Sequence, residues 1–327
     1  MRLFIYAMRE FDELAFAGEA SRDLGIPFGW SADYPSPDNY ELARGYDGIS
    51  VTPCDLSAPV LEAFCELGVR FILCRSIGYD HVDLDAAKRL GMRVGIVSYP
   101  PTGVANYAIM LMLMVCRRWP VIRKKAEAQD YTLRGKIGLD LSMQTVGVIG
   151  TGKIGAAVIK GLSGFGCRLL AYDPYKNPAV EGLAEYVPLD ALLHEADIVT
   201  LHANVTPENY HLLDDDAFSK MKDGAIVVNT SRGKLIDHEA LIRALEAGKL
   251  WGAALDVLEN ENGLYYYDRT GDDIANREMA VLRSFPNVIL SPHTAFYTTD
   301  AVRYMMRGCF QNLDAFGRGE RPPLEVG

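Results

Sequence analysis

Short apolar runs separated by amphipathic stretches recur along this chain at the spacing of strand–helix–strand units. Before the first proline-rich break, Leu3–Tyr6, Gly48–Thr52, Phe71–Arg75 and Arg93–Val97 read as strands, with Ser57–Glu66 and Leu84–Leu90 as helices between them. Ser98-Tyr-Pro-Pro-Thr-Gly103 interrupts this pattern, and an apolar helix follows at 104–118. Strand-like runs resume at Thr145–Ile149, Arg168–Asp173, Ile198–Ala203, Ala225–Asn229, Gly252–Val257 and Val288–Ser291. Helices are expected at Ala156–Phe165, Asp214–Met221 and His238–Ala247, the last two opened by a polar cap. Thr298–Phe316 then gives one long amphipathic helix, followed by a polar, proline-bearing tail from Gly317. The pattern therefore predicts an α/β protein of two Rossmann-like or flavodoxin-like parallel-sheet domains with an active-site cleft between them. A last helix leaving the second block to pack on the first makes the first domain discontinuous: 1–100 plus 298–327, against 101–297.

The run Thr145-Val-Gly-Val-Ile-Gly-Thr-Gly-Lys-Ile-Gly155 turns a fold class into a binding site. A buried strand ends on Gly150, which allows a tight turn, Gly152 lets the backbone approach a pyrophosphate, and Gly155 permits close helix–strand packing. The following helix N-terminus offers N–H donors and a positive dipole end. The next strand ends on Asp173, placed to accept hydrogen bonds from an adenosine ribose and to repel the extra phosphate of NADP, so NAD is the expected cofactor.

Length and composition narrow the partners. At 327 residues and 49% apolar content the chain can bury two cores, and its formal charge of −10 argues against a nucleic-acid or anionic-membrane binder. Leu3–Met8 is too short for a signal sequence and Tyr107–Cys116 too short for a membrane span. The six cysteines stand singly, with no CxxC pair and no histidine at ligand spacing, which fits reduced thiols of a cytoplasmic protein and implies no metal.

Three residues of the second half carry candidate chemistry: Arg232 in Asn229-Thr-Ser-Arg-Gly233, Glu261 in Asp256-Val-Leu-Glu-Asn-Glu261, and His293 in Ser291-Pro-His-Thr-Ala295. Each follows a predicted strand, at the sheet edge where open α/β folds bind ligands. Arginine offers a planar fork to a carboxylate, histidine exchanges a proton near neutral pH, and a glutamate on the other imidazole nitrogen fixes its tautomer and favours the charged ring. That combination suits hydride transfer to a 2-oxo acid. His202 ends a strand and reads either as a neighbour of the cofactor loop or as a structural residue. His81, His194, His211 and His238 receive no role.

Gly150-Thr-Gly-Lys-Ile-Gly155, Tyr172-Asp173, Asn229-Thr-Ser-Arg-Gly233, Asp256-Val-Leu-Glu-Asn-Glu261 and Ser291-Pro-His-Thr-Ala-Phe-Tyr-Thr-Thr299 together resemble the D-isomer-specific 2-hydroxyacid dehydrogenases over essentially the whole chain. Val104-Ala-Asn-Tyr-Ala-Ile-Met-Leu111, Gly164-Phe-Gly-Cys167 and the insertion Gly263-Leu-Tyr-Tyr-Tyr-Asp268 bring the likeness nearest to the D-lactate dehydrogenase branch, including the enzymes of vancomycin-type resistance. The resemblance implies that Arg232 anchors the substrate carboxylate and carbonyl, Glu261 holds the histidine, and His293 donates the proton. It places the amides of Ile77 and Gly78 on the carboxylate and Tyr99 at a hinge near the substrate. Val51, Thr52, Phe296 and Tyr297 would face the substrate's C3 side. On the cofactor it places Lys153, Ile154, Asp173, Ala203, Asn204, Asn209, Thr230, Ser231, Arg232, Asp256 and His293, beside the three loop glycines. Asn204 departs from the proline usual at its position. The expected reaction is reduction of pyruvate by NADH to D-lactate. The same chemistry on a bulkier 2-oxo acid, branched or aromatic, is the alternative, since Thr52 is smaller than the tyrosine of some lactate enzymes. An NADH-sensing corepressor-type protein is a third reading. The helix at 104–116 and the arm Trp119–Leu141 match the segment through which such enzymes form homodimers by their nucleotide domains.

Overall fold

The computed structural model describes residues 1–261 and 263–327. They form two compact units, one of residues 1–100 with 297–327 and one of residues 101–296. Both are built on parallel sheets covered by helices, as the alternating pattern predicted.

In the first unit the order is β1 (Leu3–Ile5), α1 (Leu14–Leu24), β2 (Phe28–Trp30), β3 (Gly48–Val51), α2 (Ala58–Glu66), β4 (Phe71–Cys74), α3 (Leu84–Arg89) and β5 (Arg93–Ile96). The second unit contributes α4 (Thr102–Cys116), α5 (Trp119–Glu127), β6 (Thr145–Ile149), α6 (Lys153–Ser163), β7 (Arg168–Tyr172), β8 (Glu185–Tyr186), α7 (Leu189–Glu195) and β9 (Ile198–Leu201). It continues with α8 (Asp215–Lys220), β10 (Ala225–Asn229), α9 (His238–Glu246), β11 (Leu250–Leu255), α10 (Arg277–Ser284) and β12 (Val288–Leu290). The chain then returns to the first unit through α11 (Thr299–Gly317) and β13 (Glu325–Val326).

The first sheet runs β13-β5-β4-β3-β1-β2, parallel except for β13, which pairs antiparallel with β5. This is the flavodoxin-like order with one added edge strand. Val51, Ile72, Cys74 and Val94 pack into a core with Leu61 and Phe64 of α2. α11 lies against α1, β4 and β5, capped by the Thr298 hydroxyl at the Ala301 amide, 3.2 Å away. The second sheet runs β12-β11-β10-β9-β6-β7-β8, the order of a dinucleotide-binding sheet extended by one strand, with chain reversal between β6 and β9. Its central strands are buried on both faces by separate apolar clusters, which is why they read as unbroken Val, Ile and Leu runs.

Several expectations need correction. The helix expected from Ala156 starts at Lys153, directly after Gly152, so Gly155 lies inside its first turn. The helix expected over 104–118 ends at Cys116, because Arg118 takes a left-handed φ of 50° before Pro120 opens α5. α1, β2, α7, β8 and α10 had not been assigned, and the polar tail holds β13.

Candidate active site

The glycine loop is shaped by contacts that only glycine tolerates. Gly150 has φ 90°, and a Cβ there would lie 2.6 Å from the His202 carbonyl carbon, while a Cβ on Gly155 would lie 1.9 Å from the Gly150 oxygen. Nothing lies within 4 Å of the Cβ position of Gly152, so the loop backbone is open on that side. Thr151 between them is 1% exposed and fully engaged. Its amide donates to Asp173 Oδ2 at 2.7 Å, its hydroxyl accepts from Tyr186 Oη at 2.8 Å, and its carbonyl accepts Asn177 Nδ2 at 2.6 Å. Asp173 Oδ1 also accepts the Tyr175 amide at 2.9 Å. Lys153 is exposed at the start of α6, and Ile154 packs on the core cluster beneath.

Across the sheet reversal, Ala203 and Asn204 follow β9. The Ala203 carbonyl accepts the Ser231 hydroxyl at 2.5 Å. The Asn204 carbonyl accepts Asn209 Nδ2 at 2.7 Å, and Asn209 Oδ1 accepts the Thr206 amide at 2.7 Å, so Asn209 braces the loop in which Asn204 stands where proline is usual. His202 is structural: Nε2 pairs with Thr200 Oγ1 at 2.9 Å, and burial drives its imidazole down to about 3, keeping it neutral. Thr230 is 7% exposed, and its buried hydroxyl has no hydrogen-bond partner among the described residues. An open glycine backbone, helix amides, an acid at the end of β7 and an orphaned hydroxyl together fit a dinucleotide.

Arg232, Glu261 and His293 follow β10, β11 and β12, three adjacent parallel strands, so one sheet edge carries all three. Asn229, fully buried at the end of β10, accepts the Ser231 amide at 3.0 Å and donates to the Arg232 carbonyl at 2.8 Å. Arg232 Nη1 donates to the Ser231 carbonyl at 2.8 Å. His293 Nδ1 meets Glu261 Oε1 at 2.6 Å, and Glu261 Oε2 accepts the Leu258 amide at 2.8 Å. His293 itself holds a left-handed φ of 52°. The fully buried Asp256 stabilises that turn: its carboxylate accepts the Ser291 hydroxyl at 2.6 Å and the amides of Thr294 and Ala295 at 2.9 and 2.8 Å. The Tyr266 hydroxyl donates to the His293 carbonyl at 2.9 Å, and the Phe296 ring stands edge-on, 6.3 Å from the imidazole.

In the first unit, Thr52 follows β3 and Ile77–Gly78 follow β4, neighbouring strands whose carboxyl ends lie side by side. Ile77, Gly78 and Tyr99 are half-buried, and the Gly78 carbonyl accepts the Ser76 hydroxyl at 2.6 Å. The buried Thr52 hydroxyl has no hydrogen-bond partner among the described residues. Val51 does not face a ligand; it is fully buried in the core. Tyr297 turns to its own unit, donating to Asp12 and stacking under the Arg9 guanidinium. Sequence reading missed Arg75, 2% exposed, whose Nη2 donates to the Tyr6 and Ala7 carbonyls at 2.8 and 2.9 Å and whose Nε lies 3.3 Å from Glu13. It ties β4, just before Ser76–Gly78, to the end of β1. It also missed Tyr186 and Asn177 behind the glycine loop. Their only signal was Thr151 in a place where the motif accepts any residue.

Residues 109–295 match the family model described as the NAD binding domain of D-isomer specific 2-hydroxyacid dehydrogenases. The chain belongs to that family. It is accordingly an NAD-dependent oxidoreductase of two α/β units. It is similar to the aromatic 2-oxoacid reductase of Clostridium sporogenes strain ATCC 7955, 39% identical over 97% of this chain and 96% of that one. It is likewise similar to the D-lactate dehydrogenase of Escherichia coli K12, 38% identical over 100% of both chains. A crystal structure of the Lactobacillus delbrueckii ssp. bulgaricus D-isomer specific 2-hydroxyacid dehydrogenase in its NAD-complexed form aligns over 100% of both chains with a TM-score of 0.86 and 27% identity. Among the described residues no helix is long and apolar enough to cross a membrane, and no cluster of His, Cys, Asp or Glu forms a metal-ligand set.

Proposed function

We propose that this enzyme reduces pyruvate to D-lactate, with His293 as the proton donor, Glu261 as its partner and Arg232 as the carboxylate anchor. The observation that carries the proposal is the 2.6 Å contact between His293 Nδ1 and Glu261 Oε1 on the sheet edge that also bears Arg232. With Nδ1 turned to the carboxylate, Nε2 is the nitrogen that faces the carbonyl oxygen and gives up the proton. NADH, when bound, supplies the hydride. On this proposal the Arg232 guanidinium of the second unit pairs with the substrate carboxylate and Phe296 adjoins its side chain, and the residues proposed for substrate in the first unit are the amide donors Ile77 and Gly78, with Thr52 and Tyr99. The cofactor contacts are assigned to the Gly150–Gly155 loop, Asp173, Ala203, Asn204, Asn209, Thr230 and Ser231; Asp256, expected among them, is fully buried and bonded to Ser291, Thr294 and Ala295, and holds the His293 turn instead.

A bulkier 2-oxo acid is the second reading, favoured by the small Thr52 and by the similarity to an aromatic 2-oxoacid reductase. NADH consumption with pyruvate, 2-oxobutyrate, 4-methyl-2-oxopentanoate and phenylpyruvate, followed by chiral analysis of the product, decides. A large preference for pyruvate with D-product supports the first reading, a preference for phenylpyruvate the second, and failure to turn over any of them overturns both.

The enzyme also forms a homodimer through its second unit on this reading. A groove of about 470 Å³ between α4, α5 and α6 is lined by Ile109, Met110, Leu113, Trp119 and Phe165. Leu133 and Ile137 of the following arm are 88% and 78% exposed, an apolar display that a lone chain rarely carries. Leu133→Asp with Ile137→Asp should yield monomer in sedimentation, and an unchanged sedimentation coefficient counts against the arm. Six free cysteines fit a reducing, cytoplasmic setting.

A further inference from the structure

A second histidine–carboxylate pair stands beside the catalytic one and has no part in the reaction as described so far. Glu259 stands two residues before Glu261 and bonds a different pair of side chains. Its Oε1 accepts the Tyr210 hydroxyl at 2.6 Å and its Oε2 meets His211 Nε2 at 2.8 Å. The Tyr210 and His211 rings stack with centroids 3.9 Å apart, His211 holds a left-handed φ of 53°, and its amide donates to the Lys234 carbonyl at 2.9 Å. Tyr210 and His211 directly follow Asn209, whose side chain grips Asn204 and Thr206. One carboxylate therefore joins the loop after β9 to the strap Asp256–Glu261 after β11.

The strap has little other freedom. Gly233 lies flat against it, close enough that a Cβ would stand 2.0 Å from the Leu258 carbonyl carbon and 2.2 Å from the Glu259 nitrogen. On the other side Glu261 bridges back to the Leu258 amide and forward to His293. We propose that Glu259, held by Tyr210 and His211, positions the Glu261 carboxylate on His293 and couples that position to the loop Ala203–His211.

The surroundings favour an ionised Glu259. Burial raises its carboxyl, but the hydrogen bonds from Tyr210 and His211 outweigh burial and hold it below the usual range. The groups facing the pair from other elements are His238 at the head of α9, Asp237 beside it, and Glu278 of α10. His238 Nδ1 lies 3.3 Å from Glu278 Oε2, and burial pushes its imidazole down, toward the neutral form. The imidazole that bonds Glu259 directly is therefore His211, at 2.8 Å.

This inference rests on the proposed role of Glu261 and His293, so its test carries both. The full-length variants Glu261→Gln, Glu259→Gln, the double variant and Tyr210→Phe are compared by thermal melting, NADH affinity and the pH profile of kcat for oxo-acid reduction. Glu261→Gln should move the basic limb toward acid, since the imidazole loses the carboxylate bonded to its Nδ1. Glu259→Gln should move it in the same direction by a smaller step, lower kcat about tenfold through misplacement of the pair, and weaken NADH binding. The double variant should move it no further than Glu261→Gln alone, as expected of two residues acting through one contact. A folded Glu259→Gln enzyme with an unmoved limb, or a double variant whose shift is the sum of the two, overturns the clamp. A limb unmoved in Glu261→Gln overturns the reading of the dyad itself. If Glu259→Gln does not fold, Tyr210→Phe, which keeps the carboxylate and its bond to His211, takes its place: a small acid-ward shift supports the clamp and none overturns it.

Discussion

Gly233→Ala tests how tightly the catalytic strap is fixed. The added methyl would stand 2.0 Å from the Leu258 carbonyl carbon and 2.4 Å from its oxygen, both backbone atoms with no rotamer to swing aside. Ordinary contact needs about 3.5 Å or more, so the strap or the Arg232–Gly233 turn has to retreat by roughly 1.5 Å. That displacement is larger than the tolerance of the 2.6 Å Glu261–His293 contact, which ceases to be a hydrogen bond beyond about 3.2 Å. Overpacking of this kind costs about 1–3 kcal/mol of stability, and misplacing a catalytic group by about 1 Å costs on the order of a hundredfold in rate. We expect Gly233→Ala to fold with a melting temperature lowered by several degrees and to lose roughly a hundredfold in kcat, with oxo-acid KM changed far less. Steady-state kinetics on the purified variant, with a thermal melt to establish the folded fraction, make the measurement. A folded enzyme with wild-type kcat would show that the strap yields without moving Glu261, and the argument from close approach would fail.

Asp256→Asn keeps one acceptor oxygen and replaces the other with an amide donor, so one of the Thr294 and Ala295 amides loses its charge-assisted bond, worth about 1.5–3 kcal/mol; we expect a loss of about 2 kcal/mol and a melting temperature lower by roughly 4–8 °C. An unchanged melt would mean that water replaces the carboxylate there. Asp173→Ser removes the charge that repels a 2′-phosphate, and the NADH over NADPH preference in kcat/KM should fall by roughly ten- to a hundredfold; a preference that stays intact places the discrimination elsewhere. His202 is neutral when folded down to about pH 3 but takes a proton near its ordinary value when unfolded, so between those limits the unfolded chain binds more protons and stability falls with falling pH, by up to about 1.4 kcal/mol per unit. His202→Gln should flatten that part of the acid-stability curve, seen as a shallower fall of melting temperature below pH 6.5.

The strands that carry the site were legible because burial on both faces leaves an unbroken apolar run, as in Val146–Ile149 and Ala225–Val228. Arg232, Glu261 and His293 were legible because each follows such a run. The glycine loop was legible because its spacing answers a steric need, visible in the contact of Gly155 with the Gly150 oxygen. What escaped notice had no local signature. The fully buried residues of α1 are two small ones, Ala17 and Ala20, so no large apolar side chain marks its core face. β8 and β13 are two residues long, too short for any period to appear. Glu259 has no local signature at all: its meaning depends on Tyr210 and His211, which the parallel crossovers bring to it from 49 and 48 residues away.

The distribution of buried polar side chains in the second unit explains why these placements hold. Thr151, Thr200, Asn229, Thr230 and Asp256 are all less than a tenth exposed, and each lies at or just past the carboxyl end of a strand. Burying such groups lowers stability unless they are hydrogen-bonded, so their presence at one edge needs a local return. Thr151 returns a fixed glycine loop, Thr200 a neutral His202 behind it, Asn229 the turn that presents Arg232, and Asp256 the left-handed His293. Thr230 is the exception, since its hydroxyl finds no hydrogen-bond partner among the described residues. Thr200, Asn229 and Asp256 are satisfied by groups of the loops they organise, and Thr151 by Asp173, Asn177 and Tyr186 beyond β7, so each loop is held from its base and does not depend on its own flexible tip. The one left unsatisfied sits between Asn229 and Ser231, where the cofactor contacts are proposed, and an orphaned hydroxyl there is what a site completed by its ligand would show.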